Sequence, residues 1–174
     1  IHTIEEIGEQ KEKEAMLERM SYRDALTGCL NRMAYNEKID CLMTKQLNDL
    51  VYMTFDLNCL KVINDRFGHD AGDELIIGAG NCLLDCLRAH GKIYRNGGDE
   101  FIIIVPDKNI VNIKNIANRY IEAINQDMWI EEVNIHYNIS ACVGISHYPD
   151  QALDLDTVIN NADTAMYEGK KLGK

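Results

Sequence analysis

Proline is scarce, two residues in 174, and positive charge is outnumbered, with 18 Lys and Arg against 28 Asp and Glu. So few prolines leave no Pro-rich linker to divide the chain, and 46% hydrophobic residues supply a core, so one ordinary globular domain with an appendage is expected. A formal net charge of -10 excludes a nucleic-acid groove, which needs clustered Lys and Arg to displace counterions. If the ligand is itself an anion, a metal must mediate. No apolar run reaches membrane-spanning length, which excludes direct membrane contact by a spanning helix. No signal-peptide pattern opens the chain. Its six cysteines (Cys29, Cys41, Cys59, Cys82, Cys86, Cys142) lie mostly in apolar surroundings, as reduced thiols of a cytoplasmic protein do. Cys82, Cys86 and His90 share a helix face, but no fourth ligand accompanies them, so small core-filling residues are expected rather than zinc.

What is present centres on Tyr94-Arg95-Asn96-Gly97-Gly98-Asp99-Glu100-Phe101, running into Ile102-Ile103-Ile104-Val105. Asn-Gly-Gly between two strand-like runs predicts a tight hairpin, because its central residues need positive φ. Two carboxylates then stand at the mouth of a buried strand, beside glycines that let a ligand approach the backbone.

In chain order, residues 1–20 read as helical but with poor apolar spacing. Either a solvated connecting helix or a short parallel coiled coil from an upstream domain fits, and a chain that begins at Ile1 is expected to be a piece of something longer. The loop Asp24-Ala25-Leu26-Thr27-Gly28-Cys29-Leu30-Asn31-Arg32 leads into a helix over about 31–45, with Asn31 able to cap it. Leu50 to Asp56 is a buried strand ending in an acid. A polar loop follows, and Asp70 is expected to cap a helix from Ala71 to about Arg88. Ile110, Ile113, Ala117, Tyr120, Ile121 and Ile124 predict another helix. Residues 135–145 alternate as one long strand, and a last helix over about 155–168 buries Leu155, Val158, Ile159, Ala162, Ala165 and Met166.

The order β-α-β-β-α-β predicts an α+β, ferredoxin-like palm with a central antiparallel sheet. In that topology the first and third strands are neighbours and antiparallel, so Asp56 and Asp99 converge. Two acids in one rim call for a divalent cation, and hard oxygen donors select magnesium or manganese. A palm carrying such a pair suits two-metal phosphoryl transfer, as in nucleotidyl cyclases and polymerases.

Three ordered motifs then carry a resemblance. Gly97-Gly98-Asp99-Glu100-Phe101 matches the signature of the GGDEF domain family, the diguanylate cyclases. Asp24 to Arg32 resembles the family's D-x-L-T-G-L-x-N-R, and Asp56 to Asp73 resembles D-x-[DN]-x-[FL]-K-x-x-N-D-x-[FY]-G-H-x-x-G-D. The resemblance covers nearly everything from Asp24 to Lys174. It implies condensation of two GTP molecules into cyclic di-GMP and pyrophosphate at a homodimer interface, with residues 1–22 as a signalling helix and 23–174 as the catalytic domain.

Carried over residue by residue, Asp56, the Leu57 carbonyl, Asp99 and Glu100 hold two magnesium or manganese ions per half-site. Cys59, Leu60 and Lys61 offer backbone N–H groups to the phosphates, and the Lys61 and Lys170 ammonium groups join them. Gly97 and Gly98 border the nucleotide, Asn64 and Asp73 read guanine, and Leu26 and Ile76 flank the base. Asp99 or Glu100 is the expected general base, with Lys61 assisting catalysis. The partners the resemblance implies are GTP, a second copy and an upstream sensor that can be membrane-attached, with this part in the cytoplasm.

Departures from the pattern are Asn58, where many members have Asp, and Lys174, a GTP-binding position where an arginine is usual; the family's short final strand is missing, so a C-terminally truncated domain is expected. The product-inhibition motif R-x-x-D aligns with Arg88-Ala89-His90-Gly91, which keeps the arginine and loses the aspartate. The alternatives are a GGDEF module that binds GTP without turning it over, and another palm-fold nucleotidyl cyclase.

Overall fold

The computed structural model describes residues 21–87, 91–106, 115, 118–122 and 124–172. Helix α1 (Arg32–Met43) starts where the Asn31 side chain accepts a hydrogen bond from the Ala34 N–H at 3.1 Å, satisfying one of the unpaired donors of the first turn. Strand β1 (Leu50–Leu57) is buried along its whole length, which requires cover on both faces of the sheet. Helices α2 (Leu60–Phe67) and α3 (His69–Leu87) follow, then the hairpin of β2 (Lys92–Gly97) and β3 (Glu100–Val105). The remaining elements are β4 (Gln126–Ile130), a 3-10 turn at Glu131–Val133, β5 (Ile135–Ile139), β6 (Ala141–Tyr148) and α4 (Leu155–Lys171).

The main sheet has the order β2-β3-β1-β6 with every neighbouring pair antiparallel, the ferredoxin-like α+β palm expected from the sequence. One face carries Val51, Met53, Phe55 and Leu57 against Leu75, Ala79 and Leu83 of α3. The other carries Tyr52, Ile102 and Ile104 against Leu155, Val158 and Ala162 of α4. Burying side chains of this size contributes about 1.5–3 kcal/mol each. β1, at the centre, is therefore a rigid post from which a terminal residue can be held.

Four expectations are corrected, the first being the polar loop after Asp56, which turns into helix α2 from Leu60 onward. The predicted strand over 135–145 is two strands broken at Ser140: β5 pairs with β4 in a separate two-stranded sheet, and β6 pairs with β1. Alternation at period two runs on through the break because it specifies a face and no partner. β4 itself carried no signal that was read. α3 begins at His69 rather than Ala71, so Asp70 sits in its first turn. Ala165 is exposed, since α4 turns only Leu155, Val158 and Ala162 fully inward. The helix expected over residues 1–20 lies outside the described residues, as does much of that expected over 110–124, of which Tyr120 and Ile124 are buried. Among the described residues no helix is long and apolar enough to cross a membrane.

Candidate active site

The site is built at the C-terminal end of β1. Asp56 pairs in register with Glu100, and the Leu57 N–H donates to the Asp99 carbonyl at 3.2 Å, so the convergence demanded by the topology is met. The hairpin is aimed by backbone that glycine tolerates: Gly97 and Gly98 have φ of 147° and 50°, and Asn96 is an extra residue bulged between the Arg95–Phe101 and Gly97–Glu100 pairs. Asp99 thereby reaches the cleft, of about 580 Å³, that Asp56 also lines.

Helix α4 supplies the opposite wall. At Gly144 of β6 a Cβ would lie 1.8 Å from the Ala162 carbonyl oxygen and 2.7 Å from the Met166 nitrogen, so only glycine lets α4 lie this close to the sheet. The approach brings the Lys170 ammonium to Asp56 at 2.5 Å. Burial pushes the Asp56 carboxyl above its ordinary value; the bond from Lys170 opposes that, and the charge of Asp99 adds to it.

Phosphate-binding groups are expected at the start of α2. Cys59 precedes it with φ of 64°, exposed, while Leu60 and Lys61 open its first turn within the cleft. First-turn N–H groups have no partner inside their helix and so face an anion favourably. Asn58 is fixed beneath them. Its N–H donates to the Ser140 carbonyl at 2.8 Å, its amide to Ser140 Oγ at 3.0 Å, and its Oδ1 accepts from Cys142 Sγ at 3.4 Å. Asn58, Ser140 and Cys142 thus serve as the floor of the cleft, and the break between β5 and β6 is what places Ser140 there.

Asn64 of α2 lies against Gly72 of α3, the residue before Asp73. The Asn64 side chain lies over Gly72, where a Cβ would stand 1.9 Å from its Oδ1, and that buried oxygen has no hydrogen-bond partner among the described residues. Asp73 is exposed on the first turns of α3. Leu26 is half-buried against the core and Ile76 is buried.

Glu100 goes elsewhere. It lines a neighbouring pocket of about 350 Å³ with Thr54, Asn96, Asp163 and Tyr167, and accepts from the Asn96 amide at 3.4 Å. Lys174 and Arg88 lie outside the described residues. Gly91, where the inhibition motif would need its aspartate, has φ of 145°, and a Cβ there would lie 2.7 Å from the Ile104 carbonyl oxygen. No side chain fits that position without a backbone shift.

Sequence reasoning missed the bracket behind the turn. Arg95 donates to the Gly98 carbonyl from Nε and Nη2, at 3.1 and 2.9 Å, and from Nη1 to both Asp24 carboxylate oxygens, at 3.0 and 3.2 Å. Burial raises the Asp24 pKa, but hydrogen bonds from Thr27 and Arg95 outweigh it and leave the carboxyl below its usual range. The only available signal was a cation one residue before Asn-Gly-Gly and an unexplained acid at the head of the Asp24 loop. A larger cavity, about 1170 Å³, lies against Tyr22, Lys38 and Lys92 and holds none of these groups, so volume does not mark the chemistry.

Among the described residues no three His, Cys, Asp or Glu side chains gather as a metal cluster. Two carboxylates and the Leu57 carbonyl are nonetheless an all-oxygen set, and the two acids meet a single ammonium at contact distance, that of Lys170 on Asp56. Those features fit a hard divalent cation.

A family model described as diguanylate cyclase, GGDEF domain, matches residues 21–174. Diguanylate cyclase DgcP of Escherichia coli (strain K12) is 35% identical over 165 residues, 92% of this chain and 48% of that protein. Cyclic di-GMP phosphodiesterase PdeR of the same organism is 29% identical over 170 residues, 97% of this chain and 25% of that protein. The chain therefore spans about half the length of DgcP. Among solved structures, a fragment of YfiN (TpbB) from Pseudomonas aeruginosa comprising only the GGDEF domain aligns with a TM-score of 0.77 at 27% identity, covering 86% of this chain and 89% of that one.

Proposed function

We propose, from the premise that this chain belongs to the GGDEF domain family of diguanylate cyclases, that it condenses two GTP molecules into cyclic di-GMP with release of two pyrophosphates. The observation that carries the proposal is the meeting of Asp56 and Asp99 in one cleft with Lys170, Lys61 and the first turn of α2. Acids and anion-binding groups together suit a metal-bound polyphosphate.

Asp56, the Leu57 carbonyl and Asp99 would hold magnesium or manganese, two ions per half-site, with Glu100 bordering from the next pocket. When bound, such ions supply positive charge against that accumulating on the α-phosphate and the leaving pyrophosphate. The N–H groups of Cys59, Leu60 and Lys61 and the ammonium groups of Lys61 and Lys170 orient the phosphates, with Gly97 and Gly98 leaving room for close approach. Asn64 and Asp73 accept the donors on the guanine edge, which adenine does not offer in that arrangement, and Leu26 and Ile76 flank the ring.

In each half-reaction a ribose 3'-oxygen forms a bond to the α-phosphorus of the other nucleotide. The bond from that phosphorus to the bridging oxygen of pyrophosphate breaks, and the hydroxyl proton passes to a carboxylate. Asp99 is the better placed of the two candidates, because Glu100 faces the neighbouring pocket. Ring closure takes two half-sites, so a second copy in antiparallel apposition completes the enzyme, and an upstream segment that dimerises would raise its effective concentration. A cytoplasmic setting, as part of a longer sensor, accords with thiols left free. With Gly91 packed against β3, feedback binding of product through that motif is not expected.

The competing reading is a GTP-binding module without turnover; a match within a protein named as a phosphodiesterase favours keeping it. Incubating a zipper-fused dimer with GTP and magnesium and separating the products by chromatography decides between them. Cyclic di-GMP that disappears in Asp99→Ala supports the cyclase, while retained nucleotide without product supports the module.

A further inference from the structure

We infer that Lys170 is the resident counter-ion of Asp56, and that it keeps a bare divalent cation out of the cleft, admitting one only with a triphosphate able to draw the ammonium away. The inference rests on the metal and GTP assignment above. The Asp56 side chain is 10% exposed; of the cleft's two lysines Lys170 is the one in contact with it, and the nearby acid Asp99 adds repulsion, so the Lys170 contact is what balances it. A buried carboxylate stripped of its partner is strongly disfavoured, and any entering ion must therefore compete with an ammonium already at contact distance.

The backbone beneath Lys170 cannot yield to relieve that competition. α4 is seated on β6 through Gly144 against Ala162 and Met166, so exchange is left to the lysine side chain. That side chain is 37% exposed, and its cleft also holds Lys61 and the start of α2, where the phosphates are proposed to lie. The ammonium can leave the carboxylate for a phosphate oxygen without crossing out of the cleft, at the moment a divalent ion arrives to replace it. Cation and nucleotide affinity are then linked, and the species selected is the metal–triphosphate complex.

Manganese binding to the whole chain, followed by the signal of the free ion in electron paramagnetic resonance, tests this with and without a non-hydrolysable GTP analogue. The wild type is expected to bind manganese weakly alone and about tenfold or more tightly with the analogue. Lys170→Met should gain about tenfold in manganese affinity without any nucleotide, the gain should vanish when Asp56→Asn is added, and Lys170→Arg should stay with the wild type. Lys170→Gln gives the same comparison if the methionine variant does not fold. Equal manganese affinity in the wild type and both neutral variants overturns the inference. Cyclic di-GMP formation without that gain would sink the counter-ion role alone; the gain without any product would sink the cyclase reading alone.

Discussion

The hairpin after β2 separates two pockets that each contain a pair of carboxylates, and they are not alike. Asp56 and Asp99 share their cleft with two lysines and a helix N-terminus. Glu100 and Asp163 share theirs with Thr54 and three tyrosines, and among the described residues no lysine or arginine lines it. In both, partial burial pushes one carboxyl above its ordinary range, opposed by Lys170 at Asp56 and by Thr54 at Asp163. Proximity of acids is therefore common to the two, and what distinguishes them is cationic surroundings. Only the first pocket can both hold a positive ion and accept the anion that accompanies it.

The contrast is most readily broken by neutralising one acid on each side in a forced dimer. Asp99→Asn should lower the initial rate of cyclic di-GMP formation by about a hundredfold or more. Asp163→Asn should stay within about twofold, since it changes a group outside the first cleft. Comparable losses would erase the distinction. Helix α4 roofs both pockets, so Gly144→Val should disturb both, costing about 2–3 kcal/mol in urea unfolding as the added side chain drives α4 from β6. An unchanged midpoint would mean the helix is not held at that contact. Arg95→Met acts on the first cleft alone. It leaves the Gly98 carbonyl without its side-chain donors and Asp24 with Thr27 alone, and should cost about 1–3 kcal/mol, with no change in a Tyr35–Tyr52 hydroxyl contact that belongs to the second pocket.

The smallest effects are those of pH, and they run in opposite directions for two acids. Asp24 has its folded-state pKa lowered, so its contribution is full above the ordinary value of 3.8 and is lost as pH falls through the depressed one. Asp56 has its folded-state pKa raised, so the folded state is favoured below 3.8 and loses that advantage as pH rises through the raised value. Asp56→Asn should then melt at a higher temperature than the wild type at neutral pH in the absence of metal, and the gap should close near pH 3. A lower melting temperature for that variant would show that the Lys170 pairing outweighs burial.

How much of this was legible follows from the range of each interaction. Buried β1, the glycine turn and the Asn31 cap are written in adjacent residues, and the β-α-β-β-α-β order, by making the first and third strands antiparallel neighbours, then brings Asp56 to Asp99. The division at Ser140 was not legible, because Ile135 to Ile145 keep one alternation while the chain passes from one sheet to another. Nor was the Arg95–Asp24 bracket, whose members stand 71 residues apart with nothing local to join them. Glu100 looked equivalent to Asp99 in sequence. A turn makes neighbours diverge, and here it sends two successive acids into different pockets.

Cys59 has a practical corollary. It is the one exposed thiol of six, carried on a left-handed residue at the mouth of α2, whereas Cys29 and Cys142 are buried and the other three partly so. A fluorophore attached there through sulfur would stand in the cleft proposed for the triphosphate. Its alkylation rate becomes a gauge of occupancy, slowing as nucleotide fills the cleft, and it reads ligand arrival in a single domain without waiting for a second copy to turn over.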